Sequence, residues 1–134
     1  TSKVTASTTT ASLGAVNDGL IPQGGNTSIP YYHTWPTAGG TQWIAYEFAQ
    51  ESQVSQSTIY WFDDQPWGGC KVPESWKLYY MDAQGEWQPI RADYPVNVKG
   101  ANYVRFRPVK TKAMKLEVKQ YDEMSTGLYE WEIK

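Results

Sequence analysis

Hydrophobic and polar residues along this chain alternate mostly with a period of two, and no stretch sustains the 3.6-residue period of an amphipathic helix. Val4 and Ala6 alternate with Lys3 and Thr5, which predicts a first strand within residues 1–12 that frays into a Thr- and Ser-rich loop. Gln42 to Phe48 (Q-W-I-A-Y-E-F) sets Ile44, Tyr46 and Phe48 on one face against Trp43, Ala45 and Glu47 on the other. Gln53 to Asp63 reads as the next strand. Ser75 to Met81, the turn Asp82-Ala83-Gln84-Gly85 and Glu86 to Ile90 read as a hairpin with Trp87 on its return arm. Asn102 to Val109 offers Val104 and Phe106 inward, and Ala113 to Gln120 offers Met114, Leu116 and Val118 inward. Gly127 to Ile133 closes the chain, with Tyr129, Trp131 and Ile133 on one face and Glu130 and Glu132 on the other. About eight short strands with turns between them predict an all-β, antiparallel β-sandwich or jelly roll, a single domain over residues 1–134.

The stretch from Ile59 to Trp76 (I-Y-W-F-D-D-Q-P-W-G-G-C-K-V-P-E-S-W) interrupts the pattern most sharply. Pro66, Gly68, Gly69 and Pro73 force a loop between two strands. That loop carries Asp63, Asp64, Trp67 and Lys71, two carboxylates, an indole and an ammonium, where solvent contact is the default. A tryptophan followed by two glycines needs a cover, either the protein's own sheet edge or a ligand. A second aromatic group, Tyr31, Tyr32, His33 and Trp35, sits in a long Gly- and Pro-punctuated segment before the second strand.

Composition narrows the function classes. With 7 Trp and 10 Tyr against 3 Phe, the aromatic surplus lies in rings with a polar tip, suited to sites with one wet edge. A net charge of −2 gives no field to gather nucleic acid, and no run approaches the roughly 18 apolar residues of a membrane span. The lysines and arginines of the last third read as a solvated face rather than a polyanion site. Cys70 is the one cysteine and His33 the one histidine, so an internal disulfide and a Cys/His zinc site are both excluded. Cys70 reads as a small buried apolar residue rather than a reactive thiol. The opening T-S-K carries no initiator Met or signal core, which predicts a piece of a longer protein.

Catalysis finds little support. A glycosidase pair drawn from Asp63, Asp64, Glu130 and Glu132 would need two carboxylates roughly 5 to 9.5 Å apart across a sugar, and strand neighbours point to opposite faces. Glycan binding asks for less: an aromatic platform for the apolar face of a pyranose, and charged or planar partners for hydroxyl pairs. Trp67 supplies a platform, Asp63 or Asp64 an acceptor, and Lys71 or His33 a donor. The alternatives are Trp67 as a lid over the sheet edge, Asp63 and Asp64 as turn caps, and Tyr31, Tyr32 and Trp35 as a knot closing the long loop.

In order along the chain, A-V-N-D-G at 15 to 19, Trp35, Q-W-I-A-Y-E-F at 42 to 48, the I-Y-W-F strand and G-L-Y-E-W-E-I at 127 to 133 resemble the discoidin, or coagulation factor 5/8 type C, module. This is the galactose-binding-like fold, and the Y-W-F-D-D…G-G-C-K-V-P-E-S-W stretch is similar to its bacterial carbohydrate-binding-module branch, appended to glycoside hydrolases. The resemblance implies a non-catalytic, monomeric module, secreted, periplasmic or at the cell surface, that tethers a catalytic domain of the same polypeptide to a glycan ligand. It places the sugar site on loops at one end of the sandwich, which adds Tyr31, Tyr32 and Tyr121 to the candidates. It also implies a structural Ca2+ near the D-G turn, with Asp18 and Glu130 at the matching positions; without the metal, Asp18 caps its own turn and Glu130 is an exposed strand residue. Two other readings stand beside this one. One is a structural accessory sandwich that packs against the catalytic domain without binding sugar; the other is an adhesion module presenting an apolar patch to a protein.

Overall fold

The computed structural model describes residues 2–7, 32–34, 39–63, 70–97 and 100–134. Among them there is no helix, and seven strands follow in order: β1 (Ser2–Ala6), β2 (Tyr32–His33), β3 (Thr41–Phe62), β4 (Ser75–Met81), β5 (Trp87–Pro89), β6 (Asn102–Lys119) and β7 (Gly127–Ile133). All strand pairings are antiparallel, in the order β2-β7-β3-β6-β4-β5 with β1 on β3.

Two of these strands do double duty. The first half of β3 pairs β1 and the last part of β6, while its second half pairs β7 and the first part of β6. β3 and β6 therefore run through both layers of a sandwich, one layer β1-β3-β6-β4-β5 and the other β6-β3-β7-β2. The expected breaks at residues 49–52 and 110–112 do not occur. Ala-Gln-Glu-Ser-Gln at 49–53 contains no Pro or Gly to end a strand, so the chain stays extended and changes layer through a register shift between Glu47 and Ser52. Pro108, which has no N–H to donate, falls at the second shift, between the paired residues Arg105 and Val109.

The core lies between the layers. Ile44, Tyr46, Leu78, Met114 and Leu116 from one layer meet Ile59, Trp61, Val104, Leu128 and Trp131 from the other, all buried. Tyr46 stacks on Trp131 with ring centroids 4.2 Å apart, and Trp61 meets Trp76 edge-on at 5.7 Å. Asn102, fully buried, accepts from Asn97 N and donates to the carbonyls of Ile59 and Asn97.

The last strand departs from simple alternation. A register shift opposite Tyr60 and Trp61 leaves Tyr129 as an extra residue, so Leu128 and Trp131 both enter the main core. Tyr129 instead joins Phe62 and Cys70 in a separate cluster, not the face of Trp131 and Ile133 that strict alternation predicts. Cys70 is buried there, as a small apolar residue.

The β4–β5 hairpin turns at Asp82. Its Oδ1 accepts from the amides of Gln84 and Glu86, both at 2.9 Å, its Oδ2 from Gln88 Nε2, and Gly85 takes φ +80°. The bonds from Glu86 and Gln88 hold this carboxyl below its usual 3.8. A lowered folded-state pKa means stability present above the unfolded value and lost as pH falls through it. In Asp82→Ala the thermal midpoint is expected to fall at pH 7, with the gap from the parent closing below pH 3.8; an equal gap at both ends would remove the carboxylate from the explanation.

Candidate functional site at one end of the sandwich

Three connections meet where β3 begins and β6 ends. Gly39 and Gly40, at φ +67° and +63°, lead into β3 through a left-handed turn that other residues resist. Gly39 N donates to Met124 O, and Gln120 N to Gly40 O. From the loop after β3, Lys71 N donates to Ser125 O at 3.0 Å and Glu74 N to Lys119 O at 2.8 Å, with Cys70 and Ser125 forming an isolated parallel bridge.

The anchor of this convergence is a side chain that sequence reading passed over. Gln120 is 3% exposed, and its Oε1 accepts from Thr126 N at 2.9 Å and from the hydroxyl of Thr34, while its Nε2 donates to Gly39 O at 2.8 Å. Thr126 N also donates to Thr34 Oγ1. One amide thus fixes the entry to β3, the segment after β2 and the 121–126 turn, and with them the position of Tyr121. In the sequence Gln120 is one more polar residue at a strand end, with no periodic signal to mark it.

Lys71 and Tyr121, both candidates and fifty residues apart, come together: the Lys71 ammonium lies 4.4 Å from the centre of the Tyr121 ring. They line an open depression of about 460 Å³ with Gly40, Glu74, Lys119 and Asp122. Glu74 and Lys119 pair across it at 2.9 Å, and Glu74 holds the Lys119 amine above its usual 10.5. The depression therefore offers ammonium groups, the phenol ring of Tyr121 and carboxylates to solvent, a set suited to polyhydroxylated ligands.

The other candidates divide. Asp63, partly exposed, closes the base of the central loop, its Oδ2 accepting from Val72 N at 3.1 Å, as a turn cap does. Tyr32 is not at a solvent-facing site: alternation on the short β2 turns it inward, where it is 1% exposed and burial pushes its phenol up to about 12. His33, next on β2 and opposite Gly127, is partly exposed. Glu130, expected as either a metal ligand or an exposed strand residue, is 4% exposed. Its charge and that of Glu132, after burial and Tyr103, help raise the pKa of Tyr60 beside them. Trp67, Asp64, Tyr31 and Asp18 lie outside the described residues. Among the described residues no cluster of three or more His, Cys, Asp or Glu forms, and no helix is long and apolar enough to cross a membrane.

Solved structures share this fold over nearly the whole chain. A chain from Streptococcus pneumoniae β-galactosidase BgaA superposes with a TM-score of 0.81 at 18% identity, covering 99% of this chain and 96% of its own. The family 32 carbohydrate-binding module of C. perfringens NanJ, solved with galactose, gives 0.76 at 14% identity, over 98% and 92%. CpGH89CBM32-5 from Clostridium perfringens, solved with GalNAc-β-1,3-galactose, gives 0.71 at 15%, over 98% and 94%. The family model for the F5/8 type C domain matches residues 3–131, and the chain belongs to that family.

Proposed function

We propose that this chain is a non-catalytic carbohydrate-binding module that holds a secreted bacterial glycoside hydrolase on its glycan. The observation that carries the reading is the meeting of Lys71 and Tyr121 over an open polar depression at the loop end. The sugar-binding modules that share the fold support it. The ring of Tyr121 offers a stacking face, Lys71 a donor and Asp122 an acceptor. Trp67 and Asp64 belong to the central loop whose base Asp63 closes, and they complete the proposed contacts, with Tyr31 and His33 secondary. The role is tethering: affinity for the glycan raises the local concentration of the catalytic domain at its substrate.

The same proposal includes a structural Ca2+ held by Asp18 and Glu130. Glu130 supplies a carboxylate from β7, and a hard cation takes several such oxygen ligands. Bound, the ion would pin the chain around Asp18 to β7 and take no part in chemistry.

The test is isothermal titration with mono- and disaccharides, including galactose and GalNAc-β-1,3-galactose, run on the parent, Trp67→Ala and Lys71→Ala, each with and without EGTA. The proposal expects saturable binding to at least one sugar, weakened roughly tenfold in each variant, and a lower thermal midpoint in EGTA. No binding to any sugar would overturn the module, and a midpoint indifferent to EGTA would overturn the metal.

A further inference from the structure

The outer face of the β1-β3-β6-β4-β5 layer carries aromatic residues that the core does not use. Pairing registers align Thr5, Ala45, Lys115, Tyr79 and Pro89 in one row across all five strands. Trp43 lies two residues before Ala45 on β3, and Trp87 two residues before Pro89 on β5. Because β3 and β5 run in opposite directions, the two indoles flank the row from opposite sides. Both are partly exposed.

Between them is an open trough of about 300 Å³, lined by Thr5, Trp43, Ala45, Trp87 and Lys115. Its floor is low because Ala45 stands in mid-sheet where most residues would fill the groove. The Lys115 ammonium spreads over two rings, 4.7 Å from the centre of Tyr79 and 5.2 Å from that of Trp87. It also sits 3.9 Å from Glu117, which accepts a hydrogen bond from the Tyr79 hydroxyl at 3.3 Å.

We infer that this trough is a second glycan site, separate from the loop end, which takes a neutral polysaccharide chain lying across the strands. Three features select that occupant. Two indole walls and an alanine floor suit the apolar faces of pyranose rings, with Lys115 and Thr5 at hand for hydroxyls. The row spans four strand spacings, about 19 Å, which suits several linked sugars better than one. The charge of Lys115 is already balanced by Glu117, so nothing on the floor favours an acidic chain. A protein partner is less suited, since a stable interface covers about 800 Å² per side, while this face is ringed by the alternating charges of Lys3, Glu47, Lys77 and Glu117.

Affinity electrophoresis of the whole chain through gels containing xylan, galactomannan, hydroxyethylcellulose or pectate tests this. At least one neutral polymer is expected to retard the parent, with retardation weakened about 3- to 10-fold in each of Trp43→Ala and Trp87→Ala. Both tryptophan variants should keep any small-sugar binding at the loop end, so this proposal and the module reading fail separately. Hydroxyl-radical footprinting of the parent needs no variant: the retarding polymer should protect Trp43 and Trp87 while leaving Tyr103, 62% exposed on the other layer, unchanged. No retardation by any neutral polymer, retardation by pectate alone, or protection that bypasses both indoles would overturn the inference.

Discussion

Replacing Trp131 by alanine is expected to lower the free energy of unfolding by about 3–5 kcal/mol, enough to leave much of the chain unfolded at 37 °C. The side chain is 1% exposed and stacks on Tyr46, whose hydroxyl donates to Trp131 O at 2.7 Å, so a single residue joins the two layers by ring and backbone together. Its own Nε1 donates to Ser57 Oγ at 2.8 Å, and that hydroxyl donates onward to Glu132 O. Alanine would remove the stack, leave a cavity and strip Ser57 of a donor. Trp131→Phe should cost less, because it keeps an aromatic face against Tyr46 and loses mainly the indole bond. Urea denaturation of both variants checks the order; equal losses would mean that the hydrogen bond, not the stack, carries the effect.

Gln120→Ala is expected to be the next most damaging change, at about 2–4 kcal/mol. It removes the side-chain partner of Gly39 O, takes the acceptor Oε1 from the Thr34 hydroxyl, and leaves the buried Thr126 amide only its bond to Thr34 Oγ1. The consequence is local as well as global. The 121–126 turn should loosen, so hydrogen exchange at the Thr126 amide is expected to accelerate more than exchange in β4, and Lys71 should lose its ordered seat over Tyr121. A uniform acceleration across the molecule would show that Gln120 supports the core generally rather than this turn.

The sandwich was legible because its core positions alternate faithfully. Ile44 and Tyr46, Met114, Leu116 and Val118, and Val104 all point inward as period-two reading requires. What escaped that reading were events at which alternation is suspended. The change of layer in the middle of β3 and β6 involves polar residues that look like a loop, and only pairing with two different neighbours keeps them extended. The extra residue at Tyr129 depends on the register against β3, and no feature of G-L-Y-E-W-E-I announces it. The close approach of Phe62, whose Cδ2 would lie 2.9 Å from a Cβ at position 127, explains why glycine begins β7 only once the partner strand is in place.

The candidate site was legible in part for a related reason. Residue chemistry singles out Lys71 and Tyr121, but their meeting depends on the loop after β3 bonding to the turn after β6. Glu74, Lys119 and Asp122 enter the site through that same closure, and as isolated charges on a polar stretch they carried no signal. Tyr32 went the other way: in the sequence it belongs to an aromatic group on a loop, whereas two residues of pairing with β7 suffice to bury it.

The central claim, a sugar held at the loop end, is tested most directly by backbone amide shift mapping of the whole chain with the sugar that titrates tightest. The account predicts that the largest shifts fall within residues 63–74 and 120–126, saturate together, and need roughly tenfold more sugar to saturate in Lys71→Ala. Shifts absent from both segments with every sugar tried, or concentrated elsewhere on the fold, would contradict it.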